Sequence, residues 1–462
     1  MPFLPVPLGS DVLLWLLVLA VGAYAWYCSR RAHLAAPWRR VFASRTALAC
    51  SVLLAAFLAI GLADSLHFRA RLSAAAGEGP QYAPEVLSVL DLALSDLRLR
   101  PERTYSAPLA TRLYAKELVD APDPERPGSV KQVRDYPRLR YGGAHLQDEA
   151  DRLGDIYATI GLGLLAAAVA AVFIGLGVRR LQRRHPAVPW RAAGWTLLAV
   201  VAVALPVALL ARHYHPFGTD KVGQDVLYQA LKSVRISLVI GTLTTVVLLP
   251  IAVGLGLMAG YFRGWVDDAI QYLYTTLNSI PGVLLIAAFV LMMQVFLERY
   301  AEVFPTALER ADARLLVLCG ILGCINWTGL ARLLRGEALK LSQLEYIQAA
   351  HAFGVSHARI LSRHLLPNVA HIVIISLVMD FSGLVLAEAV LSYVGVGVDP
   401  ATTSFGTMIN AARLEMGREP VVWWSLAAAF VFMFLLVLAA NLFADAVRDG
   451  FDPRVRVGGV PA

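Results

Sequence analysis

The stretch Ser342-Gln343-Leu344-Glu345-Tyr346-Ile347-Gln348-Ala349-Ala350-His351-Ala352-Phe353-Gly354-Val355-Ser356-His357 decides how the rest of the chain is read. It sits within Leu334 to Pro367, a segment that also holds Arg335, Glu337, Lys340, Arg359, Arg363 and His364. A charge at the centre of a bilayer costs at least about 2.5–3.5 kcal/mol. A segment this charged does not cross a membrane. Both flanks, 314–334 and 369–392, are apolar over the roughly 20 residues that a membrane helix needs. The segment is therefore a polar helix–turn–helix held between two spans on the cytoplasmic side. Ser342 followed by Glu345 reads as a capping box that starts a helix. Gly354 supplies the left-handed residue that ends it. Ser356 caps a second helix, which runs to Leu366 and is stopped by Pro367. Ala349, Ala350 and Ala352 keep the first helix low in profile, so a partner groove can approach its backbone.

Outward from this segment the chain is apolar. Of its 462 residues, 58% are hydrophobic and 16% charged, and the mean hydropathy is +0.60. A water-exposed surface cannot hide that excess, which excludes a soluble globular enzyme, a disordered scaffold and a collagen-like fibre. Nine stretches are long enough to span, roughly 11–28, 46–64, 156–177, 191–212, 235–259, 270–296, 314–334, 369–392 and 422–445. The predicted fold is all-α: a polytopic membrane bundle with a small insert. Interior prolines such as Pro206, Pro250 and Pro281 are tolerated in membrane helices, where neighbours satisfy the freed carbonyl. The net charge of +7 points to basic cytoplasmic loops rather than nucleic acid. Cys28, Cys50, Cys319 and Cys324 are too few, and too apolar in setting, for a disulfide framework or a zinc cluster.

Charge also orients the spans. The loop after the first holds Arg30, Arg31, Arg39, Arg40 and Arg45 with no acid; the loop after the third holds Arg179, Arg180, Arg183, Arg184 and Arg191, again with no acid. Arginine in short loops favours the cytoplasm. The N-terminus is then outside, and the C-terminus, with Arg448, Arg454 and Arg456, inside. Ala23 and Ala25 offer a signal-peptidase-like site. No positive charge precedes the first span and a basic block follows it, so it reads as an anchor. Residues 66–155 carry charge of both signs, prolines 122, 124 and 127, and Arg100-Pro101-Glu102-Arg103. By alternation they form an extracytoplasmic insert. Val86, Leu87, Leu90, Leu94 and Leu97 in it recur at near-helical spacing. Neither a nucleophile–base pair nor a metal-ligand spacing occurs there.

From the residues alone, the polar loop reads equally as a docking element for a cytoplasmic protein and as a helix lying on lipid. Tethering at both ends disfavours DNA reading. Here a family resemblance enters. Gln348-Ala349-Ala350, Gly354 and His364-Leu365-Leu366-Pro367 resemble the EAA loop of ABC importer permeases. Trp327-Thr328-Gly329-Leu330-Ala331-Arg332 and Glu345-Tyr346-Ile347 are similar to its flanks in the dipeptide/oligopeptide/nickel branch. His215-Pro216-Phe217-Gly218-Thr219-Asp220, with Gly223 and Asp225, resembles the extracytoplasmic motif of that branch's C-type subunit. Arg235-Ile236-Ser237-Leu238, Ala259 to Asp267, Ala387-Glu388-Ala389, Leu391 to Val398, Asn441 to Asp445 and Asp452-Pro453-Arg454 continue the likeness. It covers roughly 190–456. Gln348 stands where the family usually has Glu, and Gln224 where it often has Arg.

Apolar length and charge give two N-terminal membrane helices (1–65), the insert (66–155) and a third membrane helix with its basic loop (156–190), about which the resemblance says nothing. The resemblance implies a permease core (191–462) whose coupling loop is 336–367. It implies that Glu345, Tyr346, Gln348, Ala349, Ala350, Phe353, Gly354, Val355 and Ser356 form a coupling helix that docks into an ATP-binding subunit. The family's partners are a B-type permease, two ATP-binding subunits and an extracytoplasmic solute-binding protein, all working at the inner membrane. This chain binds no cofactor; ATP and Mg belong to the partner subunits. No Walker-type P-loop occurs in it, so it is not itself the ATPase. The solute would be a peptide or a related small molecule.

Other residues carry weaker signals. Asp380 and Glu388 fall in the eighth span, and intramembrane carboxylates are candidates for the translocation pathway. Each reads more readily as the partner of a neighbouring helix, or for Glu388 as a group at the outer water boundary. Arg332 and Arg335 read as anchors or as contacts to the ATPase or lipid phosphate. His213 and His215 lack a third metal ligand. Asp267 and Asp268 read as loop structure, and Gly254, Gly256 and Gly260 as close helix packing. Two other classes compete with the importer: a gradient-driven transporter, whose inverted repeat is not seen here, and a membrane scaffold working through its insert.

Overall fold

A computed structural model describes residues 3–72, 81–122, 130–300, 302, 304 and 306–451. Pro124, Pro127, Arg454, Arg456 and the closing Asp452-Pro453-Arg454 lie outside the described residues. The described chain is helical, with two small sheets. Its helices are α1 (Gly9–Ser29), α2 (Ala32–Ala43), α3 (Arg45–Asp64), α4 (Val89–Ala93), α5 (Ser95–Arg98), α6 (Arg152–Arg184), α7 (Trp190–Leu210), α8 (Val226–Phe262), α9 (Gly264–Ser279), α10 (Gly282–Arg299), α11 (Ala307–Asn326), α12 (Thr328–Leu341), α13 (Glu345–Ala352), α14 (His357–Ile360), α15 (Leu366–Val394), α16 (Phe405–Glu415) and α17 (Trp424–Phe451). Among the described residues, eight helical stretches are long and apolar enough to cross a membrane; the pair α11–α12, bent by 40°, makes a ninth.

Three boundaries differ from the sequence reading, each for a local reason. The span expected at 270–296 is broken, and the crossing helix is α10. Ile280 precedes Pro281 and is extended (φ −92°, ψ 132°), because the proline ring excludes the α region for the residue before it. The span at 314–334 bends where α11 meets α12, around the buried Trp327. Pro367 does not stop a helix. A wide π turn at Leu361–Leu365 leads into α15, and Pro367 falls in the first turn of α15. A missing N–H costs nothing there. The Asn368 side chain donates to the His364 carbonyl at 2.7 Å.

The chain forms two compact units. One comprises Met1–Pro7, Ser51–Ile236 and Thr403–Leu436. In it α6 and α7 pack as a hairpin: a Cβ on Gly163 would lie 2.6 Å from the Pro206 Cα. Strands β1 (Phe3–Pro5), β2 (His67–Ala70) and β3 (Leu87–Ser88) form an antiparallel sheet in that order, with Phe3 opposite Ala70 and Phe68 opposite Leu87. Strands β4 (Glu117–Pro122) and β5 (Val130–Asp135) form a hairpin. Ile156, Leu210 and Tyr214 bury against Leu109, Leu146 and Ile160.

The other unit comprises Leu8–Cys50, Ser237–Thr402 and Val437–Ala462. Its main core joins α8 (Leu248, Ala252, Leu257) to α12 (Leu330, Leu334, Ala338), with Ile347, Ile360, Leu365 and Val369. Gly256 and Gly260 let these helices touch. Added Cβ atoms would lie 2.7 and 2.6 Å from the carbonyl oxygens of Ala331 and Arg335. Gly254 faces open space. Helix α1, outside the family resemblance, is joined to α11, inside it: the Ser10 amide donates to Asp312 at 3.1 Å, and its hydroxyl donates to the same carboxylate.

Candidate functional site

The polar loop forms a hook. Helix α12 closes at Ser342, which has helical backbone angles (φ −63°, ψ −16°). The expected capping box therefore does not form. An N-cap needs an extended residue, and here that residue is Leu344 (φ −70°, ψ 140°), which has no side-chain cap. The Ser342 hydroxyl instead donates to the Leu339 carbonyl (2.9 Å) and accepts from Arg263 (3.0 Å). The far end of α13 is as the sequence indicated. Gly354 is left-handed (φ +74°). Its amide donates to the His351 carbonyl (3.0 Å), and the Val355 amide donates to the Ala350 carbonyl (3.1 Å). That pair of bonds is a Schellman cap, and Ala350 and Val355 pack together against the core as such caps favour. Ser356 is the extended N-cap residue of α14, without a side-chain bond.

One residue of α13 is buried. Ile347, 2% exposed, keys the helix into the α8–α12 core. Glu345, Tyr346, Gln348, Ala349, Phe353, Gly354 and Ser356 are exposed, and Ala350 and Val355 are half-buried beneath them. Phe353 stands 87% exposed at the tip. The nine residues singled out for docking thus lie on one small ridge. Ile347, the residue that fixes the ridge, is not among them; its signal was an aliphatic side chain alone in a polar helix. The hook is held at its base. Tyr346 accepts from Asn368 (3.0 Å), and Tyr261 shares a hydrogen bond with His357 (2.9 Å). The Gln348 amide donates to the Gln343 carbonyl (3.1 Å). Arg335 grips Asp267 with two bonds (2.5 and 2.6 Å), and these hold the Asp267 carboxyl below the usual carboxylate range. Arg332 stacks on Tyr274. Both arginines are thus engaged within the chain. Asp380 and Glu388 are not part of the ridge; they lie about four and six turns along α15. Glu388 is fully buried and accepts from the Ser392 hydroxyl (2.7 Å), while Asp380 is half-buried.

The His215 motif is a second organised region. His215 Nδ1 meets Asp225 at 2.8 Å and Nε2 faces Glu102 at 3.5 Å. All three side chains are almost wholly buried. Burial alone would lower the His215 pKa; the carboxylates of Asp225 and Glu102 outweigh it and raise it to about 9. Burial alone would raise that of Glu102. His215 and the amides of Tyr141 (2.7 Å), Arg140 (2.8 Å) and Gly142 (3.0 Å) hold it below the usual range instead. Thr219 accepts from the Ser106 amide (2.7 Å), and the Trp424 indole donates to the Thr219 carbonyl (2.9 Å). A second ion pair joins Lys232 to Asp91 (2.8 Å), which also accepts from Tyr228 (2.6 Å). Residues 66–155 are therefore clamped onto the motif and onto the start of α8. Nothing in the sequence reading joined them.

A bundle of membrane-crossing helices with an exposed, glycine-capped hook between two of them fits a membrane transport permease. Residues 252–457 match the family model described as the binding-protein-dependent transport system inner membrane component. The oligopeptide transport system permease protein OppC of Mycobacterium tuberculosis is 34% identical over 296 residues, 61% of this chain and 94% of that protein. The glutathione transport system permease protein GsiD of Pectobacterium atrosepticum is 33% identical over 60% of this chain and 90% of that one. The dipeptide transport system permease protein DppC of Lactococcus lactis is 29% identical over 52% and 63%. The chain belongs to the family of binding-protein-dependent transport system inner membrane components. It is a multi-pass, non-catalytic permease of an ABC importer, and ATP hydrolysis resides in a separate subunit. The resemblance to C-type permeases is borne out.

Proposed function

We propose that this chain is the C-type half of a peptide importer and that α13 with its Gly354 turn is the element that meets the ATP-binding subunit. The observation carrying this is the ridge itself: seven exposed residues on a short helix and the turn that follows it, held by one apolar key and a backbone cap. Its partners are a B-type permease, two ATP-binding subunits holding ATP and Mg, and an extracytoplasmic binding protein. The relatives named for oligopeptides, dipeptides and glutathione support a small peptide or related solute. The acid-free arginine loops support an N-terminus outside and a C-terminus in the cytoplasm. Residues 66–155 are then extracytoplasmic, and the outer segments around 215–226 and 393–421 would face the binding protein. ATP closes the ATPase pair, pulls on the hook and shifts the permease between inward- and outward-open states. Asp380 and Glu388 are our pathway candidates, Asp380 being the more accessible.

The test uses exposed positions, so that folding is kept. Ala349→Arg and Phe353→Asp, at normal membrane levels, are expected to reduce peptide uptake at least tenfold and to weaken copurification of the ATP-binding subunit. Unchanged uptake and copurification in both would overturn the docking assignment.

A further inference from the structure

The chain's other strong surface feature lies at α2. Residues 12–63 contain no aspartate or glutamate but five arginines: Arg30, Arg31, Arg39, Arg40 and Arg45. All five are exposed, and among the described residues none is paired with a carboxylate. Two residues separate α2 from α1, and Ser44 alone separates it from α3. Both neighbours are long and apolar enough to cross the membrane. A helix tied this closely to two crossing helices is held at the bilayer boundary. Its apolar face is taken: Val41, with Trp38 beside it, packs on Phe443, Val447 and Phe451 of α17 and on Ile374 and Val378 of α15. Gly450 lets α17 come this near, since a Cβ there would lie 2.5 Å from the Val41 side chain. By the 100° helical step, Arg39 and Arg40 fall on the opposite face with Ala32 and Ala43, whose small side chains leave the backbone open to a headgroup. At the end of α1, Arg30 and Arg31 lie over the rings of Trp26 and Tyr27, at 4.0 and 4.7 Å. Those aromatic residues favour the headgroup level.

We propose that α2 is a binding surface for phospholipids of net negative headgroup charge, with Arg39 and Arg40 as its principal phosphate contacts. Position at the boundary selects lipid as the occupant, and the acid-free arginine cluster selects its sign. Guanidinium groups grip phosphate through paired N–H donors, which a lysine ammonium cannot do. Because α2 rests on α15, the helix that continues from the hook, a lipid held here braces that helix.

The experiment takes the purified protein, with whatever partner subunits accompany it, into nanodiscs of phosphatidylcholine alone or with one third phosphatidylglycerol. Bound lipid is counted by mass spectrometry, and thermal unfolding is followed in parallel. The wild-type protein is expected to concentrate phosphatidylglycerol and to unfold at higher temperature when it is present. Arg39→Gln/Arg40→Gln leaves Arg30, Arg31 and Arg45 to orient the loop. Each basic side chain at an anionic surface is worth about fivefold, so the pair should weaken phosphatidylglycerol binding by up to roughly thirtyfold. Arg39→Lys/Arg40→Lys, which keeps the charge but loses the paired donors, should fall between wild type and the Gln variant. Equal phosphatidylglycerol enrichment in the Gln variant and wild type overturns the proposal. So does loss of the ATP-binding subunit from the Gln variant with lipid enrichment unchanged, which would assign the arginines to an acidic protein face.

Discussion

The hook at 345–356 and the clamp around His215 both depend on left-handed glycines, Gly354 in one and Gly218 and Gly223 in the other. Beyond that they are opposites. Around Gly354 there is open space, whereas a Cβ on Gly223 would run into the Glu102 backbone. The polar side chains of the hook are exposed, and it is held by backbone bonds, Ile347 and a few side-chain bonds at its base. The clamp buries two carboxylates and an imidazole: His215 Nδ1 bonds to Asp225, Glu102 accepts from backbone amides, and His215 Nε2 faces Glu102 at 3.5 Å without a hydrogen bond. A surface proposed to meet a moving partner keeps its integrity mainly in caps and an apolar key, with only a few of its polar side chains, such as Tyr346 and Gln348, tied back to the chain. A closed cluster has its polar groups committed, so its part is to hold.

Breaking the clamp should have the largest effect. His215→Leu strips the cation from two buried carboxylates, and uncompensated buried charge costs about 3–5 kcal/mol. A thermal-unfolding scan in detergent should show the drop; a midpoint unmoved by the change would remove the distinction between the two regions. The pH dependence follows with a definite sign. His215 is raised to about 9 from an unfolded value near 6.5. Its contribution is complete below the unfolded value and is lost as pH rises through about 9, on the order of 3 kcal/mol in all. Glu102 is lowered, so its contribution is present above the ordinary carboxylate range and is lost as pH falls below it. The stability profile should be a plateau with an acid and an alkaline limb; His215→Gln should abolish the alkaline limb and, by removing a group that holds Glu102 low, move the acid limb to higher pH.

The hook should fail differently. Ile347→Ala removes its key, and such core truncations cost about 2–5 kcal/mol. The loss should appear as faster hydrogen exchange in 345–356, with uptake falling although no exposed residue has changed. Exchange rates matching wild type would mean that the ridge is held elsewhere. Gly354→Ala is a smaller change. An L-residue at positive φ costs about 1–2 kcal/mol, with no clash to add, since nothing lies within 4 Å. A modest fall in uptake is expected, rather than collapse.

Local signals explain what was legible beforehand. Apolar length marked the spans, and Gly354 between two short helices marked the turn, because both depend on neighbours within a few residues. Spacing alone misled where a helix ran further than expected. Ser342 and Glu345 have capping-box spacing, but α12 carries Ser342 into helical backbone, where it cannot cap. Pro367 resembles a stop, yet the π turn before it turns it into a start. Pro281 was read as tolerated inside a span, while its effect on Ile280 breaks the helix. The clamp left no local trace. Glu102 and His215 belong to segments far apart in the chain, and their pairing exists only once residues 66–155 fold back on the motif.

The smallest effect is the most discriminating. The family usually has Glu where this chain has Gln348, and the amide here donates to the Gln343 carbonyl at 3.1 Å. A carboxylate cannot donate, so Gln348→Glu replaces that bond with two facing acceptors. One exposed hydrogen bond is worth about 0.5–1.5 kcal/mol, and water can take up both groups. The hook should therefore loosen slightly, seen as a severalfold rise in exchange at Gln343 to Gln348. Binding to the ATP-binding subunit should fall by the same small factor if Gln348 only props the ridge. If the 348 side chain instead reaches the partner, a charge there changes affinity well beyond the exchange effect, in either direction. Measuring both on one variant separates a residue that shapes the hook from one that is read by its partner.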